Sequence, residues 1–141
     1  MVQRDGLVHA LKVTDTKAST LMPIIKQFCK ENSHFFTDEL TSYSCLDREG
    51  MKHSVIEHGK KEFSKDGVTT NSIEGFWGHF KRMVFGTYHF VSKDYVQRYL
   101  DESVYRYNTR KADESARFAD MFYKSIGIVS YMDVKSIKCA A

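Results

Sequence analysis

Two acidic residues, Asp38 and Glu74, have types and positions that suit the binding of divalent metal ions. Asp38 ends a short apolar run that predicts a β-strand, and Glu74 lies in the first turn of a predicted helix, with thirty-five residues between the two acids. Carboxylates presented from a strand end and from a helix start can share two metal ions, and such sites catalyse phosphodiester chemistry. The pair therefore predicts metal-dependent chemistry on a phosphate ester.

Both residues also have a purely structural interpretation. An aspartate after a strand is often only a turn residue or a helix cap, which would account for Asp38. Glu74 stands where a glutamate closes a capping box, with Asn71 as the helix cap. Capping and metal binding by Glu74 are compatible, but only metal binding requires its carboxylate to face the sheet.

The elements that position this pair alternate between strands and helices in the first half of the chain. Asp5-Gly6 between two apolar runs predicts a β-hairpin over 1–13. A helix is predicted over 20–31, with Pro23 in its first turn, where the missing N–H costs nothing. Then follow a strand over 33–37, a short helix or turn over 40–46, a strand over 52–57 and a charged loop over 59–67.

Helices predominate in the second half. One is predicted from Asn71 to Gly86, a second from its cap Ser92 to about Arg110, and a third from near Asp113 to Gly127. The fold class is therefore α/β, a mixed sheet with flanking helices and a helical C-terminal half. Apolar residues at helical spacing are expected in the core: Trp77, Phe80, Tyr95, Tyr99, Leu100 and Tyr107.

Composition sets broad limits on the function. A chain of 141 residues with 42% hydrophobic residues is expected to form a single folded domain. A formal net charge of +3 permits a nucleic-acid partner without requiring one. Three widely spaced cysteines indicate neither a disulfide framework nor a zinc motif, and His53 and His58 have weak spacing for zinc. We find no apolar run long enough for a membrane span and no phosphate-binding glycine loop, so we expect a soluble, intracellular protein that does not use ATP.

Three segments of the chain resemble Merlin-type DDE transposases and their bacterial insertion-sequence relatives. The central one runs over residues 70–89 and contains Thr-Asn-Ser-Ile-Glu-Gly-Phe-Trp. It is followed by Asp-Glu-Ser-Val-Tyr-Arg-Tyr-Asn-Thr-Arg at 101–110 and preceded by Thr-Asp-Glu at 37–39 with Tyr43. The resemblance covers roughly residues 2 to 131.

The resemblance implies an RNase H-like fold in which three acids hold two Mg²⁺ or Mn²⁺ ions. Asp38 matches the second acid of the family and Glu74 the third, although some relatives place an asparagine there, so Asn71 is an alternative catalytic residue. The implied activity is cleavage of DNA at transposon ends and strand transfer into target DNA. DNA is then the main partner, self-association is open, and the location is the nucleus in a eukaryote or the cytoplasm and nucleoid in a bacterium.

One departure from the family concerns the first acid, which lies on a strand before the hairpin that here begins with Met1. Asp5 is the nearest acid, but it lies in a turn and we do not expect it to substitute. The chain thus resembles a transposase domain whose first strand is missing: a truncated copy, a fragment of a larger reading frame or a product of exon splitting. The alternative function is an inactive remnant or a domesticated domain that binds DNA or another partner.

Basic residues concentrate in the predicted helix that carries Glu74 and in the next one. Such charges are usually solvent-facing, but beside a metal site that acts on a polyanion they would contact phosphates. Lys81 lies two helical turns beyond Glu74 on the same face and matches a basic residue that the family places near DNA. The expected DNA-binding residues are His79, Lys81, Arg82, His89, Arg106 and Arg110.

Overall fold

A computed structural model describes residues 1–30, 32–56 and 71–124, and their elements follow the predicted order. The chain divides into two compact units, residues 1–107 and a second unit that begins at Asn108. The described residues form a mixed α/β structure with five α-helices. In chain order the elements are α1 (Ala18–Phe28), β1 (His34–Thr37), a 3₁₀ turn (Thr41–Ser44) that leads into α2 (Cys45–Arg48), β2 (Lys52–Val55), α3 (Asn71–Met83), a π-helical segment (Val84–Tyr88), α4 (Val96–Asn108) and α5 (Glu114–Lys124).

The predicted N-terminal hairpin is present but short. Val2 and Val8 form an antiparallel bridge, and the N–H of Gln3 donates to the carbonyl of Leu7 at 2.8 Å. Asp5 occupies the turn with φ 54°, a left-handed conformation that aspartate tolerates better than most residues. The Asp-Gly signal therefore identified the turn correctly.

A side chain from α4 bonds the returning hairpin strand beyond this bridge. The amide of Gln97 donates to the carbonyl of Ala10 at 3.2 Å and accepts from the N–H of Lys12 at 2.7 Å. The side chain of Gln97 thus forms hydrogen bonds with a carbonyl and with an N–H group of this strand, as the backbone of a neighbouring strand would do.

The small sheet consists of β1 and β2 in parallel. His34 is paired with Lys52 and Thr37 with Val55, and the N–H of Ile56 donates to the carbonyl of Thr37 at 2.9 Å. Because the strands are parallel, their carboxyl ends meet at one edge, directly before Asp38. The 3₁₀ turn and α2 form the crossover between them, and Leu46 of α2 is fully buried, as is Ile56.

The main hydrophobic core of the first unit joins the hairpin to α3 and α4. Its buried members are Val8, Ala10, Phe76 and Leu100. The ring of Phe76 meets that of Tyr107 edge-on, with centroids 5.7 Å apart. Trp77 was expected in the core but is 40% exposed, because Phe76, its neighbour in α3, is the residue that points into the cluster.

The predicted start of the first helix was wrong. α1 begins at Ala18, so Pro23 lies inside the helix and not in its first turn. The cause is local, since the carboxylate of Asp15 accepts hydrogen bonds from the N–H of Lys17 at 3.0 Å and from the hydroxyl of Thr20 at 2.7 Å. These bonds start the helical turn before the position that the apolar pattern indicates.

Two predicted boundaries in the helical half were also wrong. Gly86 does not end the helix of Glu74, because the chain continues through the π-helical segment to Tyr88. Ser92 does not cap α4, which begins at Val96; its hydroxyl is buried and has no hydrogen-bond partner among the described residues.

The start of α5 was predicted correctly, since Asp113 accepts from the N–H groups of Ser115 and Ala116. Gly127 and the loop 59–67 lie outside the described residues.

Truncation of Leu100 tests whether α4 is part of the folding core. We expect Leu100→Ala to lower the free energy of unfolding by about 2–5 kcal/mol, as for other large-to-small core changes. Leu11→Ala, at a leucine that is 44% exposed, is the matched control and should change stability by less than about 0.5 kcal/mol. Urea unfolding followed by circular dichroism measures both. An equally small effect at Leu100 would show that α4 is peripheral.

Candidate active site

Asp38 lies directly after β1, at the edge of the parallel pair where both strands end. Its side chain is exposed, and one carboxylate oxygen accepts a hydrogen bond from the N–H of Leu40 at 3.3 Å. Burial and the nearby Asp38 charge together raise the pKa of Tyr43, which lies in the 3₁₀ turn that follows. Asp38 is therefore a turn residue that still presents its carboxylate to solvent, so the structural and the functional interpretations do not conflict.

A chain of polar contacts supports the backbone at this strand end. The hydroxyl of Thr37 donates to the carbonyl of Asp38 at 3.0 Å, and the same oxygen lies 2.7 Å from Nε2 of His53 on β2. The other ring nitrogen of His53 lies 3.5 Å from the carboxylate of Asp47 on α2. The His53 side chain is only 4% exposed, whereas that of Asp47 is 65% exposed, so the network runs from a buried imidazole to a carboxylate at the surface.

This role of His53 was not predicted from the sequence. The weak zinc spacing of His53 and His58 stays a prediction, because His58 lies outside the described residues. Within residues 1–30, 32–56 and 71–124, no group of three histidine, cysteine or acidic side chains that could hold a metal occurs. Nothing in Lys-His-Ser-Val distinguishes a buried, hydrogen-bonded histidine from an exposed one. Only the parallel pairing of β1 with β2 brings His53 to Thr37.

Glu74 lies in the first turn of α3, as predicted, and its side chain is exposed. The helix begins at Asn71, which is also exposed, and Thr70 before it lies outside the described residues. Two residues beyond Glu74, Phe76 is buried in the core and fixes the rotation of the helix. Asn71 as cap or ligand therefore stays a prediction, as does a separation of about 8 Å or less between the carboxylates of Asp38 and Glu74.

The predicted DNA-binding residues fall into two groups. His79, Lys81, Arg82 and His89 are all exposed, and the last turn of α3 contains both Lys81 and Arg82. Arg106 differs because its guanidinium bonds the carboxylate of Glu102 on the same helix, with N···O distances of 2.8 and 2.9 Å. Arg110 lies in the second unit. The α3 residues are thus the stronger candidates for phosphate contacts.

Comparison with known proteins identifies one family. The ISXO2-like transposase domain matches residues 1–108. A protein of Haemophilus influenzae named "Uncharacterized transposase-like protein" is 32% identical over 101 residues, which is 72% of this chain and 80% of that protein. No solved structure matches the chain. No helix among the described residues has the length and apolar character needed to cross a membrane.

The Thr37–His53 contact can be tested with two substitutions at Thr37. Thr37→Val keeps the volume but leaves the buried His53 nitrogen without its partner, which should cost about 1–3 kcal/mol of unfolding free energy. Thr37→Ser retains the hydroxyl and should lose less than half as much. Chemical unfolding at neutral pH gives both values. Undiminished stability in Thr37→Val, together with a loss in Thr37→Ser, would mean that the hydrogen bond contributes nothing and that only the methyl group of Thr37 matters.

Proposed function

Because the chain belongs to the ISXO2-like transposase domain family, we propose that it is the catalytic portion of a DDE-type transposase with an RNase H-like arrangement. Its chemistry would be metal-dependent cleavage of DNA at the ends of a transposable element, followed by strand transfer. The observation that carries the proposal is the family match over residues 1–108, which includes an exposed carboxylate after β1 and another in the first turn of α3.

The two carboxylates suit Mg²⁺ or Mn²⁺ in chemical type. Both cations prefer oxygen ligands, and Mg²⁺ in particular keeps several waters and needs only one or two carboxylates from the protein. Asp38 and Glu74 would hold the ions, with Asn71 as an alternative to Glu74. When bound, a pair of such ions activates the attacking hydroxyl and stabilises the leaving oxygen of a phosphodiester.

The chain's own contribution is to hold these groups in place. The Thr37–His53–Asp47 network supports the backbone at Asp38, and the buried Phe76 fixes the helix that presents Glu74. Preorganised ligands of this kind lose little conformational entropy when they bind an ion. Lys81 and Arg82, at the other end of the same helix, would bind the DNA backbone without reading its sequence.

Metal binding by the two carboxylates can be measured directly. We expect Asp38→Asn and Glu74→Gln each to weaken Mn²⁺ binding, measured by electron paramagnetic resonance of the free ion. Loss of an outer-shell partner typically costs roughly 10–100-fold in metal affinity, and loss of a direct ligand should cost at least as much. Asp5→Asn is the matched control, because asparagine also tolerates the positive φ of Asp5.

The outcomes separate the proposed function from its alternatives. Unchanged Mn²⁺ binding in both Asp38→Asn and Glu74→Gln would contradict the assigned site. A loss in Asp5→Asn would show that Asp5 is a ligand after all. DNA binding without any Mn²⁺ binding would favour an inactive domain that only binds DNA.

We expect little or no strand cleavage by residues 1–141 alone, since two carboxylates are poorly suited to hold a second ion against a phosphate.

The salt dependence of DNA binding tests the role of α3. We expect weak binding whose logarithm falls linearly with the logarithm of salt concentration, because each phosphate contact releases a counterion. Lys81→Ala and Arg82→Ala should each lower the steepness of that line by about 0.9. Arg106→Ala should leave it nearly unchanged, since this guanidinium is already paired with Glu102. Fluorescence anisotropy of a labelled duplex at several salt concentrations gives the slopes.

A further inference from the structure

Two phenylalanines project into solvent on either side of a turn that is firmly held. Phe85 is 71% exposed and Phe90 is 75% exposed, whereas Tyr88 between them is half-buried. The two rings are five residues apart in the sequence, and exposed apolar patches on an ordered segment often mark an interaction surface. We refer to Phe85 and Phe90 together as the aromatic pair.

The turn between the aromatic pair is fixed to α4 through Tyr88. The Tyr88 hydroxyl donates a hydrogen bond to the carboxylate of Glu102, and the ring of Tyr88 meets that of Tyr99 edge-on with centroids 4.6 Å apart. Burial raises the pKa of Glu102, but the hydrogen bonds from Tyr88 and Arg106 outweigh it and lower the pKa overall. Glu102 therefore stays ionised at neutral pH and keeps both partners. The aromatic pair is thus exposed on a segment that contacts with α4 hold in place.

The backbone of this turn is also unusual. Residues 84–88 are π-helical, and His89 has φ 58° and ψ −35°, which is uncommon for a residue other than glycine. Short π-helical segments and strained residues persist only where the surroundings enforce them, and they are frequent at functional sites. Phe85 and Phe90, on either side of His89 and the end of this segment, are not members of the core that contains Phe76.

The charge of the chain segment that contains the aromatic pair favours a negatively charged partner, since the carboxylate of Glu102 beside this turn is already bonded to Tyr88 and Arg106. Residues 75–93 contain no aspartate or glutamate, and they include Lys81, Arg82 and Lys93, all of which are exposed. A partner for this stretch must offer negative charge and a flat apolar surface together. Unpaired nucleotides offer both, because proteins that bind single strands combine a basic surface with aromatic rings on which bases stack.

We propose that the aromatic pair stacks against unpaired bases of a DNA strand, while Lys81 and Arg82 bind the adjacent phosphates. The inference rests on the proposed function in that DNA is taken as the substrate. It goes further by assigning Phe85 and Phe90 a preference for opened or frayed DNA over intact duplex. Stacking is tolerant of sequence, so this preference concerns the structure of the DNA and not its base order.

The experiment compares two labelled duplexes of the same length and sequence, one fully paired and one with unpaired bases at one end. Wild-type protein is expected to bind the frayed duplex more tightly, and a fluorescent adenine analogue at the unpaired position should change its emission on binding. Phe85→Ala and Phe90→Ala should each weaken binding of the frayed duplex by roughly 5- to 150-fold and leave that of the paired duplex unchanged. Phe85→Tyr and Phe90→Tyr keep an aromatic ring and should retain the preference.

The control variants separate the effect of base stacking from the effects of phosphate contacts and of misfolding. Lys81→Ala should weaken binding of both duplexes alike, and circular dichroism confirms that every variant is folded. Failure of the wild-type protein to bind either duplex would overturn both the proposed function and this inference. Equal binding of both duplexes, unaffected by the alanine variants, would overturn the inference alone. Loss of self-association in those variants during sedimentation, with DNA binding intact, would show that a second copy of the chain covers the aromatic pair.

Discussion

Burial of Phe76 is the interaction that joins the hairpin, α3 and α4 of the first unit. Its ring lies in one cluster with Val8 and Ala10 of the hairpin and with Leu100 of α4. Segments from three distant parts of the sequence therefore share a single apolar contact region, and burying a side chain of this size contributes about 1.5–3 kcal/mol. The same contact sets the rotation of α3, and hence the direction in which its functional residues project.

Hydrogen bonds between side chains and other elements also hold the first unit together. Gln97 bonds the returning strand of the hairpin, His53 links β2 to the end of β1, and Tyr88 ties the π-helical segment to α4. Each contact joins residues from different elements, and His53 is almost fully removed from water. Buried polar groups that find partners favour one arrangement over its alternatives, because each alternative leaves a donor or acceptor unpaired.

For function, the consequence is that α3 has an acidic residue at its N-terminal end and basic residues at its C-terminal end. The first turn of α3 presents the carboxylate of Glu74, and the last turn presents Lys81 and Arg82 just before the aromatic pair. An acid at a helix N-terminus and bases at its C-terminus also suit the helix dipole, so their placement stabilises the helix whether or not DNA is bound. The proposed roles therefore require no departure from what the helix itself favours.

The sequence by itself determined the order of elements, the Asp-Gly turn, the strand that ends before Asp38 and the helix that presents Glu74, because these follow from local periodicity and turn chemistry. It also carried the transposase resemblance, since that depends on residues in short contiguous segments. Tertiary structure alone decided that Phe76 is buried while Trp77 is half-exposed, that the helix passes Gly86 as a π-helical segment and that Ser92 caps nothing. It alone brought His53 to Thr37. The physical reason is the same in each case: the partners lie on other elements, and local pattern contains no information on which distant group will be there to pack or to bond.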